Sequence, residues 1–267
     1  MARTITFLSD YGLADEFVGV VHAVIAGACP GARVSDLGHG IARHDVRAGA
    51  LVLARALPFA PAGVHLAVVD PGVGARRRAI AARTAEEDRL LVGPDNGLLM
   101  AAAARFGGVA EAVEISESPW RLEPVSFTFH GRDVFAPVAA RLAGGGALAD
   151  AGRRLDPREL VALELTHPER DADGTLVAHV VLADAFGNVQ LDAGRAALGL
   201  RLGRRAELAF AGGGERVPFV RTFADVGEGE ALLYEDPARM LALSVNGGSA
   251  AGRYGLRPGD EVRIRPA

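Results

Sequence analysis

The chain has 267 residues, of which 49% are hydrophobic and 23% charged, and its formal net charge is −4. This composition is typical of a soluble globular protein of one or two domains, and it excludes a disordered chain and a membrane span. The 29 basic residues form no basic block, so we expect a small-molecule partner, with no nucleic acid and no membrane partner.

The basic residues are all arginines, because the sequence contains no lysine. Schiff-base catalysis, pyridoxal phosphate attachment and the phosphate-binding P-loop use a lysine amine and are therefore excluded in their usual forms. The single cysteine, Cys29, can form no internal disulfide. The first residues lead into a strand-like run without an apolar leader, so we expect a cytoplasmic protein.

The first part of the chain alternates between strand and helix patterns. The predicted strands cover residues 4–9, 33–37, 64–69, 79–83 and 89–92. The predicted helices cover residues 15–28, 45–57, 97–106 and 132–142, with Asp45 as the N-cap of the second. This alternation predicts an α/β domain over residues 1–165, in which helices sandwich a mostly parallel sheet.

A polar, aperiodic segment with proline and glycine, residues 166–174, predicts a linker between two domains. Beyond it, short strand-like runs alternate with glycine-rich turns, which predicts a smaller C-terminal β-barrel domain over residues 175–267. These runs cover residues 176–182, 206–210, 231–234, 241–245 and 261–264.

Asp70 occupies the most informative turn, Val68-Val69-Asp70-Pro71-Gly72-Val73-Gly74. The apolar run before it predicts a buried strand that the Pro-Gly pair ends, so the carboxylate lies at the carboxyl end of a strand. Ligands bind at that edge of an open α/β sheet. Arg77 can fold back and keep the carboxylate ionised, which makes the two a candidate reacting pair. Spacing alone does not choose among Arg76, Arg77 and Arg78.

Two acidic residues follow the first predicted strand. Asp10, in Ser9-Asp10-Tyr11-Gly12, either holds a ribose diol, as an acid at a strand end does in dinucleotide sites, or caps a turn. Asp15 opens the next predicted helix, where capping and ligand binding are about equally favoured. Both are candidate binding residues.

Three further segments place polar residues at the ends of apolar runs. His39, between two glycines, either approaches a ligand or satisfies backbone groups. In Pro94-Asp95-Asn96-Gly97, ordinary turn chemistry is favoured. His130 follows the alternating run Phe127-Thr128-Phe129 and precedes a predicted helix. That position suits a general acid or base near neutral pH, and a structural histidine is the alternative.

In the C-terminal half, Asp184-Ala185-Phe186-Gly187-Asn188 combines an acid, an aromatic ring and a carboxamide in one turn. Phe186 and Asn188 suit a purine, through stacking and edge hydrogen bonds, although a plain β-turn with an exposed aromatic is also compatible. The glycine-rich loop that leads to Ser249 and Ala250 offers bare backbone donors and acceptors.

In this order the motifs resemble those of the S-adenosyl-L-methionine hydroxide adenosyltransferase family, also called SAM hydrolases, which is related to the fluorinases and chlorinases. The resemblance extends from Ile5 to about Leu256. It is carried by Ser9-Asp10-Tyr11-Gly12, Val69-Asp70-Pro71-Gly72-Val73-Gly74, Gly93-Pro94-Asp95-Asn96-Gly97, Phe129-His130-Gly131-Arg132-Asp133 and Asp184-Ala185-Phe186-Gly187-Asn188.

The resemblance implies an N-terminal α/β domain, a C-terminal β-barrel and a homotrimer whose active sites lie between neighbouring subunits. It also implies hydrolysis of S-adenosyl-L-methionine to adenosine and L-methionine, by attack of water or hydroxide at the 5′ carbon. Neither a metal nor an organic cofactor is expected. The family's catalytic Asp-Arg-His trio falls on Asp70, Arg77 and His130.

The resemblance also assigns binding roles. It gives the ribose hydroxyls to Asp10 and the adenine to Phe186 and Asn188. The remaining candidates are Asp15 and Asp184 for the methionine end and the backbone of Ser249 and Ala250 for the adenine edge.

Three alternatives stand beside hydrolysis. The first is a SAM-dependent halogenase that forms 5′-halo-5′-deoxyadenosine. In the fluorinase, tyrosines match Asp70 and His130 and a serine matches Gly131, and a carboxylate at Asp70 would repel a halide, so hydrolysis is favoured. The second is a non-catalytic adenosine or SAM-binding protein. The third is a metal-dependent phosphoesterase built on Asp10, His39 and Asp70.

Overall fold

The computed structural model describes residues 2–267, and the chain divides into two compact units with the boundary between Leu163 and Glu164. Within residues 2–267, every helix is too short or too polar to cross a lipid bilayer.

The N-terminal unit alternates strands and helices along most of its length. Its strands are β1 (Ile5–Ser9), β2 (Val34–Gly38), β3 (Val64–Val68), β4 (Ala79–Thr84), β5 (Leu90–Pro94), β6 (Val109–Glu114) and β7 (Arg153–Leu155). Its α-helices are α1 (Phe17–Ala28), α2 (Val46–Ala56), α3 (Met100–Ala104) and α4 (Ala136–Ala143). Short 3₁₀ turns cover Leu57–Phe59, Leu148–Asp150 and Pro157–Glu159.

In residues 2–163 these strands form one seven-stranded sheet in the order β2-β1-β3-β5-β4-β6-β7. The first four are parallel to one another, and the other three pair antiparallel at the far edge. The chain leaves β1 toward β2 on one side and returns to β3 on the other. The carboxyl ends of β1 and β3 are therefore adjacent at a change of direction, where open α/β sheets bind ligands.

Helices cover both faces of this sheet. On one face α1 and α4 pack over Ile5, Phe7 and Leu66, and on the other α2 and α3 pack over Leu8 and Leu91. The central strands are apolar on both sides because both of their faces are buried.

Three predicted helices differ from the observed ones. The prediction that Asp15 opens a helix is wrong, since α1 begins at Phe17 after a bend over residues 13–15. The helix predicted over residues 97–106 is α3 alone, because the Asn96 side chain accepts from the backbone of Leu98 and holds a turn there. The helix predicted from Arg132 starts with a π-helical turn, Gly131–Phe135, that precedes α4. By contrast, Asp45 caps α2 as predicted.

The C-terminal unit consists mainly of antiparallel strands. They are β8 (Glu169–Arg170), β9 (Leu176–Ala183), β10 (Val189–Gly194), β11 (Arg205–Phe210), β12 (Gly213–Pro218), β13 (Ala231–Glu235), β14 (Met240–Val245) and β15 (Glu261–Pro266). Two short helices, α5 (Arg195–Leu198) and α6 (Ala250–Tyr254), and a 3₁₀ turn, Phe223–Asp225, connect them.

These strands curl into a nearly closed barrel. Seven of them, within residues 164–267, follow the order β12-β11-β15-β9-β10-β14-β13, and β8 pairs with β9. The two ends of this order meet, because Phe219, just after β12, forms a bridge with Leu233 in β13. Alternate strand residues fill the interior. The structure thus confirms the predicted fold class, an α/β unit with a smaller C-terminal β-barrel.

The segment predicted as a linker, residues 166–174, contains structure of its own. Glu169 and Arg170 form β8, which pairs with the start of β9. The polar residues after them make a hairpin turn, in which Asp171 accepts from the backbone of Gly174 and Thr175. Aspartate and glycine are favoured both in linkers and in tight turns, so the sequence pattern does not distinguish a linker from a hairpin turn here.

His65 is a fully buried polar residue in β3. Its Nδ1 lies 2.8 Å from the Thr6 hydroxyl, and its Nε2 lies 3.2 Å from Nη1 of Arg89. Burial, and then the charge of Arg89, lower the pKa of His65 to about 3. The imidazole is therefore neutral in the folded protein at every ordinary pH.

We expect acid to destabilise the protein through His65. The unfolded chain takes up this proton near pH 6.5 and the folded chain only near pH 3, so the stabilisation is complete above pH 6.5 and is lost as pH falls toward 3. A His65→Gln variant should lose about 1–3 kcal/mol of unfolding free energy at pH 7, because Thr6 and Arg89 lose the hydrogen bonds that they make with the imidazole. Urea unfolding should show that the difference in unfolding free energy between wild type and His65→Gln is smaller at pH 5 than at pH 7. A constant difference would contradict this role.

Candidate active site

The two strands at the centre of the parallel half of the sheet position the first two candidate residues. Asp10 directly follows β1, and Asp70 follows β3 with one residue, Val69, between them. The strands are paired in parallel, and the backbone N–H of Asp10 donates to the carbonyl of Val68. Both acids therefore lie at the same edge of the sheet, as the strand pattern predicted.

Arg77 folds back over the turn and holds Asp70 side-on. Its Nε lies 2.9 and 3.0 Å from the two carboxylate oxygens, and its Nη2 donates to Oδ2 as well. Both side chains are largely buried. The neighbouring arginines are placed elsewhere, since Arg76 is exposed and Arg78 donates to Asp95. The structure therefore brings Arg77, among the three, to Asp70.

His130 completes this cluster from another part of the chain. Its Nδ1 lies 3.0 Å from Nη2 of Arg77. Because a guanidinium can only donate, Nδ1 is the acceptor and carries the lone pair. His130 stands directly before the π-helical turn, an irregular helical geometry that is frequent at functional sites. Three side chains from two segments of the chain thus form one continuous network.

The surroundings of His130 keep its imidazole neutral. Partial burial is the main cause that lowers its pKa below the usual 6.5, and the positive charge of Arg77 adds to it. The negative charges of Asp70 and Asp133 act in the opposite direction and are outweighed. A neutral imidazole near pH 7 can accept a proton, which is what a general base requires.

A cavity of about 230 Å³ lies in front of this network. Its walls combine three carboxylates with aromatic rings. The lining residues are Asp10, Tyr11, Asp15, Phe17, Arg43, His44, Val68, Asp70, Val73, Thr128, Phe129, His130 and Gly131. Acidic and aromatic walls suit a positively charged ligand, because carboxylates and ring faces both attract a cation.

Asp10 is fixed by the backbone of the loop after β2. Its Oδ2 accepts from the N–H of His44 at 2.8 Å, and His44 has a positive φ of 67°. Asp15 is exposed in the bend before α1 and lines the same cavity. The contact between Asp10 and His44 was not predicted from the sequence, because a backbone N–H donor is present at every residue except proline.

Tyr11 and Gly131 touch across the cavity. A Cβ on Gly131 would overlap the Tyr11 hydroxyl, so the glycine leaves the volume that this hydroxyl occupies. Burial raises the pKa of Tyr11 far above its usual 10, and the charges of Asp10 and Asp70 add to that, so the phenol keeps its proton. Tyr11 belongs to the motif Ser9-Asp10-Tyr11-Gly12 but was not predicted as a site residue.

The candidate residues of the C-terminal unit form a second cluster, around the turn between β9 and β10. Oδ1 of Asp184 accepts from the backbone N–H groups of Phe186 and Asn188, both at 2.9 Å. Its Oδ2 accepts from Nδ2 of Asn188 at 2.8 Å. The geometry thus shows Asp184 organising its own turn, and a contact with methionine stays a prediction.

The start of α6 packs against this turn. Ser249 caps the helix by accepting from the N–H of Gly252 at 2.9 Å, and Ala251 donates to the carbonyl of Gly187. Gly187 has a φ of 80°, and a Cβ there would overlap Ser249, so the position needs glycine twice over. Ala250 is buried beside Ser249, while the Phe186 ring is 81% exposed. An aromatic ring this exposed on a rigid turn is available for stacking.

His39 does not join Asp10 and Asp70. Among residues 2–267, the group of three metal-ligating side chains that lie close together is His22, Asp36 and His39. This geometry gives no support to the phosphoesterase built on Asp10, His39 and Asp70.

Comparison with known proteins agrees with this fold. The models of the SAM hydroxide adenosyltransferase N-terminal and C-terminal domains match residues 5–152 and 178–263. An (R)-S-adenosyl-L-methionine hydrolase of Salinispora tropica is 52% identical and covers 97% of both chains. A fluorinase of Nocardia brasiliensis is 30% identical over 98% of this chain and 96% of its own.

A solved structure, that of an uncharacterized conserved protein from Thermotoga maritima, superposes with a TM-score of 0.90. It is 36% identical and covers 98% of this chain and 99% of its own. An α/β unit joined in one chain to an antiparallel barrel is the fold that this chain shares with that structure. The chain belongs to the SAM hydroxide adenosyltransferase family.

We expect a Gly131→Ala variant to be destabilised by about 1–3 kcal/mol, because the added methyl group overpacks the Tyr11 hydroxyl. A Tyr11→Phe change in the same chain should recover most of that loss, which a double-mutant cycle by urea unfolding would measure.

Gly27 in α1 provides the matched control, because a Cβ there meets open space. Gly27→Ala should stabilise the helix by about 0.5–1 kcal/mol. Equal losses at both glycines, or no coupling between Gly131 and Tyr11, would contradict the proposed overlap.

Proposed function

We propose that the protein hydrolyses (R)-S-adenosyl-L-methionine to adenosine and L-methionine, and that Asp70, Arg77 and His130 activate the water. The observation that carries this proposal is the network itself. A buried carboxylate, a guanidinium and a neutral imidazole lie in hydrogen-bond contact at the edge of a cavity. Relatives named as hydrolases of this substrate cover nearly the whole chain.

The cavity supports a sulfonium substrate. Asp10, Asp15 and Asp70 contribute three carboxylates to its walls against one arginine, Arg43, and Phe17 and Phe129 contribute aromatic side chains. S-adenosylmethionine carries a positive charge on sulfur next to the carbon that is attacked. Such a cation is attracted both by carboxylates and by aromatic faces, whereas an anionic substrate would be repelled.

The difficult part of the reaction is the nucleophile, because bulk water has a pKa near 15.7. In our proposal the water binds between Asp70 and His130, beside the Arg77 guanidinium. Asp70 orients it, since a carboxylate has lone pairs beyond those that Arg77 uses. The water takes over the contact that Arg77 makes with Nδ1 of His130 and gives its proton to that nitrogen. Arg77 stabilises the developing hydroxide.

The bond changes balance without a further reactant. The oxygen–C5′ bond forms as the C5′–sulfur bond breaks, and sulfur keeps the electron pair and leaves as the neutral thioether of methionine. The proton passes through His130 to solvent. Because the leaving group is neutral, it needs no acid, and we propose that the reaction uses neither a metal nor an organic cofactor.

The same residues favour water over a halide. The carboxylate of Asp70 would repel an anion, whereas it accepts a hydrogen bond from water. The Tyr11 hydroxyl occupies the space above Gly131. A halide would have to enter between the Asp70 carboxylate and the Tyr11 hydroxyl. Halogenase activity is therefore disfavoured, although fluorinases are relatives.

Binding contacts follow from both units. We propose that Asp10 holds the ribose hydroxyls and Asp15 and Asp184 the methionine end. Phe186 would stack on the adenine, and the edge groups would be Asn188 and the backbone of Ser249 and Ala250. The cavity volume of about 230 Å³ is smaller than the roughly 300 Å³ of the smallest typical ligand pocket. A second set of residues is therefore needed to enclose the substrate.

We propose that a neighbouring subunit supplies that second set in a homotrimer, and that the protein works in the cytoplasm. Light scattering should then give three times the mass of the chain.

The direct test is chromatography of the products after incubation with S-adenosyl-L-methionine. Adenosine and methionine should appear in equal amounts, also in the presence of a chelator. A parallel reaction with added fluoride or chloride should contain no 5′-halo-5′-deoxyadenosine. Binding without adenosine formation would establish the non-catalytic alternative, and a halogenated product would establish the halogenase.

Asp70→Ala and His130→Ala should lower kcat by about 100-fold or more with little change in KM, because both residues act on the nucleophile. Asp10→Ala should mainly raise KM, since a ribose contact is made in the ground state and the transition state alike. Steady-state kinetics separates the two patterns. Wild-type kcat in both Asp70→Ala and His130→Ala would exclude the proposed trio.

The pH profile should report His130. A base works when unprotonated, so activity should be constant around pH 7 and fall as pH drops through the pKa of His130, which lies below 6.5. The acid limb of kcat/KM should accordingly have its midpoint below pH 6.5. His167→Asn changes an exposed histidine of the other unit and should leave the profile unchanged. A midpoint at or above 6.5 would argue against His130 as the base.

A further inference from the structure

Two histidines and one aspartate converge beside the loop that carries Asp10, and none of them lines the cavity. His22 projects from α1, Asp36 from β2, and His39 from the loop just after β2. Nε2 of His22 lies 2.9 Å from Oδ1 of Asp36, and Nε2 of His39 lies 3.1 Å from the same oxygen. One atom from each residue falls within 4.8 Å of the others.

His39 provides an independent indication that something is bound here. Its side chain is almost completely buried, with 5% of the residue exposed. Among the described residues, its Nε2 is one of the few buried side-chain atoms without a hydrogen-bond partner, because Oδ1 of Asp36, although 3.1 Å away, lies off the direction of a hydrogen bond. A buried nitrogen without a hydrogen bond destabilises the folded chain, and a bound cation would remove that penalty.

The other ring nitrogen of His39 is already engaged. Nδ1 lies 2.7 Å from the Ser9 hydroxyl, which also accepts from the backbone N–H of Tyr11. With its proton on Nδ1, His39 donates to Ser9 and directs the lone pair of Nε2 toward His22 and Asp36. Metal-binding histidines are commonly oriented by such a bond from the second nitrogen.

Aromatic packing also limits the motion of these rings. The ring of Phe7, fully buried in β1, meets that of His39 edge-on with centroids 4.6 Å apart. It also lies 6.2 Å from the ring of His22. The ligands are thus largely arranged before any ion binds, which reduces the entropy that binding would cost.

The donor set selects the ion. Two imidazole nitrogens and one carboxylate oxygen are a common ligand set for Zn²⁺, whereas Mg²⁺ and Ca²⁺ prefer oxygen ligands alone. Zinc bonds of about 2.0–2.2 Å place two ligand atoms at most about 4 Å apart, so the observed spacing closes with small side-chain shifts. His22 and Asp36 are partly exposed, so solvent can supply a fourth ligand.

We propose that His22, Asp36 and His39 form a structural zinc site on the N-terminal unit. The bound ion would connect α1, β2 and the loop after β2. It would also brace the turn that carries Asp10, because the carbonyl of His39 accepts from the N–H of Gly12 at 2.7 Å. The proposal does not depend on hydrolysis, since no reaction step passes through this ion.

The test is zinc binding by the full-length protein after dialysis against a chelator. Titration calorimetry with Zn²⁺ should give one ion per chain, and zinc should raise the thermal unfolding midpoint. His22→Asn and Asp36→Asn should each weaken zinc binding at least about ten-fold. His167→Asn, a change at an exposed histidine of the C-terminal unit, should bind zinc as wild type does. Circular dichroism of the metal-free variants would establish that they are folded.

Anomalous diffraction at the zinc edge should place the ion in contact with all three side chains. Wild-type protein that binds no zinc would overturn the proposal and leave a network of ion pairs only. Unchanged affinity in both His22→Asn and Asp36→Asn, or a zinc peak elsewhere in the chain, would overturn it as well.

Discussion

The side-on ion pair between Asp70 and Arg77 is the constraint on which the site depends. Burying a carboxylate is costly unless a charged partner and hydrogen bonds compensate for it, and Arg77 supplies both. The pair has to form across the turn after β3. The Pro-Gly sequence there therefore reverses the chain and also allows Arg77 to reach Asp70. Through Nη2 the same guanidinium also determines which nitrogen of His130 can accept a proton.

The fold places this ion pair where it is useful. β1 and β3 are parallel neighbours, so Asp10 comes to lie beside Asp70, and the π-helical turn before α4 presents His130 from the other side. Apolar strands buried on both faces hold these positions rigidly. The arrangement of these side chains is thus a consequence of sheet order, and the two acids lie close together because backbone hydrogen bonds pair their strands.

Much of this could be predicted from sequence. The strand before Asp70, the Asp45 cap and the two halves of the chain followed from periodicity and capping chemistry. The antiparallel edge was harder, because nothing in β6 or β7 specifies which strand each will pair with. Two further features depend on contacts between residues that are distant in sequence. One is that Arg77 turns inward and its neighbours do not, and the other is the contact between Tyr11 and Gly131.

The turn that carries Phe186 is held by three hydrogen bonds to one carboxylate, that of Asp184. Its backbone and the Asn188 amide are consequently ordered as the barrel folds, before any ligand arrives. Immobilising a loop is one of the large entropic costs of association. Because this turn is already ordered in the folded chain, a ligand that binds it does not incur that cost. The fold alone therefore sets the position from which the Phe186 ring and the Asn188 amide are presented.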